Sequence, residues 1–171
     1  QDHLDHHKTM ESYFEAKARL FDLLSQGGGG GCAIINRDDD WAAKFLARSP
    51  DKAVTYGLKS PEPLAAVDIA LEGGGSRFTL VAPEGRHPFR LKTVGTHNIY
   101  NALGTIGAAL SLGIPLETVR SALAELRGVP GRREPVEGGA GLNVFVDYAH
   151  TDDALRNVLR TLRPLARRRL V

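Results

Sequence analysis

The chain has 171 residues, of which 42% are hydrophobic and 25% are charged, a composition typical of a globular protein and not of a disordered one. Its formal net charge of +2 at pH 7 is too small to indicate nucleic-acid binding. Because Cys32 is the single cysteine, an internal disulfide is excluded. The sequence shows no signal peptide and no apolar run of about twenty residues, so we expect a cytoplasmic protein without membrane insertion.

The first predicted element is a helix that Thr9 can cap and that the glycine run at 27–31 must end. Apolar residues recur there at three- and four-residue steps, as on one helix face: Met10, Tyr13, Phe14, Leu20, Phe21 and Leu24. Lys17 lies in the middle of this stripe, and two interpretations stay open. Its stem can lie on apolar surface while the charge reaches water. Alternatively, burial can leave the amine neutral and open to covalent modification.

Short apolar runs at 32–35 and 53–56 predict buried strands, and the aspartates at 38–40 are expected to open a helix between them. This strand–helix–strand order predicts a parallel α/β sheet. Period-two alternation around the glycines at 73–75 then predicts an antiparallel hairpin, with a further strand at 88–94.

Two helices are predicted next, one ending near Gly113 and one from Pro115 through Arg127 with Leu126 on its apolar face. The turn-rich segment at 128–131 is a plausible domain boundary. A second hairpin and a final helix capped by Thr151 follow, and the chain stops on what reads as the beginning of a strand.

Three clusters of polar residues could carry chemistry. The first combines the sequence DHLDHH at 2–7 with Lys17, because histidines and aspartates can bind a divalent metal; a solvent-exposed polar loop is the alternative. The second contains Asn98 and Asn101, whose carboxamides lie on one helical face and could bind a base edge; simple capping by Asn98 is the alternative. The third is DYAHT at 147–151, where a strand ends and a helix begins; an N-cap beside a surface histidine is the alternative.

In this order the clusters resemble the Mur ligases, the ATP-dependent amide-forming enzymes of peptidoglycan synthesis, and among them the MurE members. Those members typically read DHLDxHxxME and then YxxAKxxLF, and residues 2–11 and 13–21 of this chain read DHLDHHKTME and YFEAKARLF. The resemblance continues through GTHNIYN at 95–101, GRRE at 131–134 and DYAHT at 147–151. Asp152 stands where family members usually carry proline.

The resemblance implies an α/β fold in two parts. Residues 1–130 would form the later part of the central ATP-binding domain, with a mostly parallel sheet plus antiparallel hairpins. Residues 131–171 would begin the Rossmann-like C-terminal domain. The phosphate-binding pattern GxxGK[TS] does not occur in the chain. We therefore expect the chain to be a fragment of a larger protein and to be inactive alone. We expect the ligase itself to be a monomer.

The resemblance also implies roles for individual side chains. Lys17 would be carbamylated by carbon dioxide and would bind Mg²⁺ together with His3. Asn98 and Asn101 would contact the adenine of ATP.

The remaining implied roles concern the ribose and the phosphates of ATP. Arg132 would contact the phosphates, Asp147 the ribose, and His150 would lie near the phosphates.

The implied reaction transfers the γ-phosphoryl group of ATP to a carboxylate of UDP-N-acetylmuramoyl-L-alanyl-D-glutamate. The amine of meso-diaminopimelate or L-lysine then attacks the acyl phosphate. One alternative is another amide ligase of the same superfamily, such as a folylpolyglutamate synthase. The residues at 4–5 and 148–151 argue against it. A noncatalytic nucleotide-binding module is another alternative. The residues whose joint presence argues against it are Lys17, His3, Asn98, Arg132 and Asp147. A nucleic-acid partner is not expected, since the terminal arginines lack interleaved aromatics.

Overall fold

The computed structural model describes most of the chain, in these ranges: 9–27, 31–49, 52–59, 62–72, 74–136, 142, 144–166 and 169–171. The predicted metal ligand His3 and the rest of 1–8 lie outside the described residues.

Helices and strands alternate at first, then four strands follow in succession, and two helices come next. In chain order the elements are α1 (Met10–Gln26), β1 (Ala33–Asn36), α2 (Ala42–Arg48), β2 (Ala53–Gly57), β3 (Leu64–Glu72), β4 (Gly75–Ala82), β5 (Gly85–Leu91), α3 (Thr96–Ser111), α4 (Leu116–Glu125), β6 (Glu134–Val136), β7 (Val144–Val146) and α5 (Asp152–Leu162). In the described part of the chain, no helix combines the length and the apolar character needed to cross a bilayer.

Strands β1 to β5 form one sheet in sequential order. The β1–β2 and β2–β3 pairs are parallel, whereas β3–β4 and β4–β5 are antiparallel. The predicted α/β class, with parallel strands followed by antiparallel hairpins, is therefore confirmed. Strands β6 and β7 form a separate antiparallel pair, as predicted.

Helices cover both faces of the five-stranded sheet. Alternate residues of β1 point in opposite directions: Ala33 and Ile35 pack with Ala42 of α2, whereas a side chain at Gly107 of α3 would meet Ile34 at 3.0 Å. The larger core lies between α3 and the sheet, and its fully buried members include Leu80, Ile99, Leu103 and Ile106. This packing fixes α3, whose first two turns carry the predicted base-binding asparagines.

Helix α1 begins and ends as predicted, with the Thr9 hydroxyl accepting the Ser12 N–H at 3.1 Å and Gly27 following the last turn. Its buried residues are Phe14 and Ala18, whereas Leu20 is 61% exposed, so the prediction that Leu20 shares the apolar face was wrong. Six residues after Phe14 correspond to a rotation of about 240° around the helix, which carries Leu20 away from the core. The Lys17 side chain is exposed.

The aspartates at 38–40 lie in the turn before α2, which begins at Ala42, so the prediction that they open the helix was wrong by two residues. Asp38 instead accepts the Leu58 N–H at 2.6 Å and the Tyr100 hydroxyl at 2.8 Å. Burial raises the pKa of Asp38, but these hydrogen bonds outweigh burial and hold its pKa below the usual range. The carboxylate thus joins the end of β2 to α3.

The second half of the chain follows the predicted order with shorter elements. Helix α4 ends at Glu125, and Leu126 beyond it is 51% exposed and not on a buried face. Helix α5 begins after Thr151, whose hydroxyl accepts the Ala154 N–H at 3.2 Å. Residues 169–171 form no strand, in contrast to the prediction, since no neighbouring strand among the described residues pairs with them.

Candidate functional site

A cavity of about 890 Å³ lies beside the first turn of α3. Its volume is within the range usual for small-molecule sites. Asn98, Asn101, Arg132 and Asp147 all line it, so the structure brings together four of the residues that the sequence predicted. The opposite wall comes from α5, which contributes Asn157 among others.

The first turn of α3 is shaped by Gly95, which has a φ of 110° and packs against the His97 ring. Only glycine adopts this φ readily, and a Cβ there would lie 2.6 Å from Cε1 of His97. Gly95 is the N-cap of α3, so the alternative that Asn98 caps the helix was wrong. The Asn98 amide instead donates to the Val94 carbonyl at 3.0 Å, which holds this side chain at the cavity wall.

Asp147 is oriented by the backbone on both of its carboxylate oxygens. Oδ1 accepts the Ala149 N–H at 2.8 Å, and Oδ2 accepts the Arg133 N–H at 2.9 Å. The carboxylate is therefore a fixed, half-buried acceptor at the cavity wall. Such a group is suited to accept a hydrogen bond from a ligand hydroxyl.

Arg132 is exposed at the cavity, with its guanidinium carbon 5.8 Å from the ring centroid of Tyr148. This distance is within the range of a cation–π contact, which holds the cation without neutralising it. The Nδ1 of His150 is 2.9 Å from the Tyr148 carbonyl, and its ring packs edge-on against Tyr148. Among the described residues His150 does not line the cavity, but it packs on the same Tyr148 ring that Arg132 contacts.

Two cavity residues were not assigned a role from the sequence, namely Arg133 and His97. An Arg133 Nη2 group donates to His97 Nδ1 at 3.2 Å. Burial and the Arg133 charge lower the pKa of His97 to about 4, against an opposing effect of Asp147. The imidazole is therefore neutral at pH 7, which leaves Nδ1 able to accept. The tandem arginines at 132–133 were the available signal, but spacing alone does not show that Arg133 contacts His97, which is distant in sequence.

Lys17 lies in a different, smaller cleft of about 160 Å³ between α1 and the start of α2. Its ammonium is 5.0 Å from the Tyr13 ring centroid, and the stem leads the charge to solvent. The snorkelling interpretation therefore describes the unmodified side chain, and the expected burial of the amine is not observed. Asp39 lines the same cleft.

The donors in this cleft permit a test of the implied metal. An ammonium cannot bind a cation, whereas a carbamate on Lys17 would add oxygen donors beside Asp39, of the kind that Mg²⁺ prefers. Within the described ranges no group of three or more histidine, cysteine, aspartate or glutamate residues could hold a metal ion. The cleft therefore fits Mg²⁺ only when Lys17 is carbamylated.

Known proteins resemble the chain in sequence and in structure. Residues 1–109 match the Mur ligase middle domain. A UDP-N-acetylmuramoyl-L-alanyl-D-glutamate–2,6-diaminopimelate ligase of Gloeobacter violaceus is 45% identical over 172 aligned positions, which cover 100% of this chain and 34% of the relative. The chain thus spans about a third of the length of the curated relatives it matches.

Solved structures agree with this match. A UDP-N-acetylmuramoyl-L-alanyl-D-glutamate–2,6-diaminopimelate ligase superposes with a TM-score of 0.78 at 33% identity, covering 95% of this chain and 34% of its own. The MurF ligase of Thermotoga maritima, solved with ADP, has a TM-score of 0.77 at 19% identity and coverages of 95% and 36%, a likeness of fold alone. Because the Mur ligase middle domain matches more than half of the residues of this chain, the chain belongs to the Mur ligase family.

Proposed function

We propose that the chain is part of an ATP-dependent ligase that joins meso-diaminopimelate to UDP-N-acetylmuramoyl-L-alanyl-D-glutamate through an acyl phosphate. The observation that carries the proposal is that Asn98, Asn101, Arg132 and Asp147 line one and the same cavity. Relatives at 40–45% identity bear the name of this diaminopimelate ligase, which favours diaminopimelate over L-lysine as the amine.

The four cavity residues divide between the parts of ATP according to their chemistry. Asn98 and Asn101 offer amide donors and acceptors that suit the edge of adenine. Asp147, an acceptor held by two backbone N–H groups, suits a ribose hydroxyl. Arg132, with its exposed guanidinium, suits the phosphates.

We assign the phosphoryl-transfer end of the reaction to Lys17. As a carbamate it would hold Mg²⁺ together with His3, which lies outside the described residues, and Asp39 shares its cleft. Mg²⁺ supplies neutralisation of charge on the transferring phosphoryl group. The unmodified amine is exposed, so carbon dioxide can reach its neutral form from solvent. His150 is assigned to the neighbourhood of the phosphates from the resemblance alone.

The division into domains is also a proposal. Residues 1–130 would complete the central domain and residues 131–171 would begin the C-terminal one. The separate pairing of β6 with β7 supports a boundary near Gly131. We further propose that the ligase is a monomer without a nucleic-acid partner. We also propose that it is cytoplasmic, a location that suits the UDP-linked substrate in the relatives' name.

The test is a ligation assay on the full-length ligase that contains this chain. ADP release is measured with ATP, the UDP-linked dipeptide, and either meso-diaminopimelate or L-lysine. We expect turnover with diaminopimelate and a Lys17→Ala variant whose kcat falls by about a hundredfold or more, since it loses a group that stabilises transition-state charge. Added short carboxylic acids should restore part of the activity by replacing the carbamate.

Lys52→Ala is the matched control, since Lys52 is an exposed lysine outside both the cavity and the cleft. Absence of ATP-dependent turnover in the wild type would overturn the proposed function. Wild-type kcat in Lys17→Ala would overturn the role of Lys17 while leaving the function intact.

A further inference from the structure

Arg133 contacts both sides of the nucleotide cavity with different parts of the same residue. Its guanidinium donates to His97 Nδ1 at 3.2 Å in the first turn of α3, and its backbone N–H donates to Asp147 Oδ2 at 2.9 Å. The guanidinium also lies against Gly95, where an added Cβ would be 2.8 Å from Nη1. The absence of a side chain at Gly95 therefore leaves room for the guanidinium.

The backbone at Arg133 supports a specific role. Its φ of 47° lies in the left-handed region, which is costly for a residue that bears a Cβ. Glycine would adopt this φ more easily, so arginine at this position suggests that its side chain offsets the strain. The hydrogen bond from the guanidinium to His97 is the interaction that can offset this backbone strain.

We propose that Arg133 is a positioning residue for the nucleotide, which sets the separation between the asparagines of α3 and the Asp147 carboxylate. This inference rests on the proposed function, because it concerns how the same cavity holds ATP. Both arginines line the cavity, but the Arg133 guanidinium is engaged by His97 and its backbone N–H by the Asp147 carboxylate. Loss of the guanidinium would release the 131–134 segment from α3 and thereby weaken ATP binding.

Steady-state kinetics of the full-length ligase test the proposal. Arg133→Met keeps the backbone N–H and much of the side-chain length but removes the guanidinium. We expect the KM for ATP to rise about tenfold while kcat changes less than about twofold, the pattern of lost uniform binding. Arg133→Lys should recover only part of the affinity, because an ammonium lacks the planar fork.

Two further variants remove ambiguity. Arg90→Met, at an exposed arginine of β5 that does not line the cavity, should leave the KM for ATP unchanged. Arg133→Gly relieves the positive φ, so a rise in KM shared with Arg133→Met would come from the missing guanidinium and not from backbone strain. A His97→Gln, Arg133→Met double variant should show less than the product of the single effects, because the two residues act together.

A nucleotide-free readout separates this inference from the proposed function. In an NMR titration of the histidines, with His97 identified by its loss in His97→Gln, Arg133→Met should raise the pKa of His97 by removing a neighbouring cation. An unchanged His97 pKa, or an unchanged KM for ATP in Arg133→Met and Arg133→Gly, would overturn the positioning role. If the pKa rises but the wild type neither binds nor uses ATP, the contact stands, whereas the proposed function and the positioning role fail together.

Discussion

Asp147 illustrates how single residues of the cavity are held. Its carboxylate accepts hydrogen bonds from the backbone N–H groups of Arg133 and Ala149. Backbone donors do not depend on side-chain identity, so substitutions other than proline at those two positions leave the donors in place. The orientation of Asp147 thus depends on the path of the chain, which explains why the Arg133 side chain can be tested separately from its N–H.

Lys17 illustrates the opposite case, in which a side chain is held loosely. Its ammonium lies 5.0 Å from the Tyr13 ring centroid, and the side chain is exposed. A cation–π contact at an exposed site contributes only about 0.5–1 kcal/mol. The side chain is therefore held weakly and is accessible from solvent, which is compatible with the proposed carbamylation of its neutral form.

At the same scale, His97 predicts a pH dependence of stability. Its ordinary pKa of 6.5 falls to about 4 in the folded protein, where Arg133 and Asp147 are the charged groups that act on it. Between these values the unfolded chain binds a proton that the folded chain does not, so the free energy of unfolding should decrease as the pH is lowered from about 6.5 to about 4. His97 is exposed by its accessible surface, so solvent screens the neighbouring charges and the effect should be smaller than full burial would produce.

Urea unfolding at pH 7 and pH 5 measures this effect, with His97→Gln as the comparison. Glutamine can accept from Arg133 but does not titrate. The variant should lose less stability between the two pH values than the wild type does. Equal losses in both proteins would show that His97 does not titrate as described.

At the scale of elements, the β4–β5 hairpin depends on a close approach of two backbones. Gly75 begins β4 with a φ of 154°, and a Cβ there would lie 2.1 Å from the Leu91 carbonyl oxygen of β5. Neither backbone can move without breaking the ladder that pairs Ser76 with Leu91. The glycine is therefore required by the strand pairing and not only by the turn.

We expect Gly75→Ala to lower the free energy of unfolding by about 2–4 kcal/mol, as strain and a backbone clash combine. Gly74→Ala is the control, because nothing lies within 4 Å of a Cβ at Gly74. That change should stay within about 0.5 kcal/mol of the wild type. Chemical denaturation of the purified proteins measures both, and equal stability of the two variants would contradict the clash at Gly75.

At the scale of the whole molecule, the cavity lies between the two proposed domains. Asn98 and Asn101 come from the first, and Arg132 and Asp147 from the second. Ligand sites often form where domains meet, because rigid elements of each can then position different groups. ATP bound there would hold the two parts together.

The 171-residue chain alone should not catalyse ligation, because it lacks the phosphate-binding pattern GxxGK[TS] and spans about a third of the length of its relatives. ADP release in the presence of both substrates measures this, with the full-length ligase as the positive control. ATP-dependent product formation by the chain alone would contradict the expectation.

The sequence by itself determined the elements and the family. Local signals were sufficient for the helix ends at Thr9, Gly27 and Thr151, because capping and glycine effects act over a few residues. Alternation around a glycine turn was likewise sufficient for the β3–β4 hairpin. The motifs at 95–101, 131–134 and 147–151 were specific enough to select four cavity residues in advance.

Only the tertiary structure decided which side chains meet. The exposure of Lys17, the use of Asp38 by Leu58 and Tyr100, and the Arg133–His97 contact all depend on residues distant in sequence. Such pairings are set by how helices pack on a sheet, where a rotation of one residue changes the direction of a side chain by about 100°. The resemblance therefore selected Arg132, and the fold added Arg133, which lines the same cavity and contacts His97.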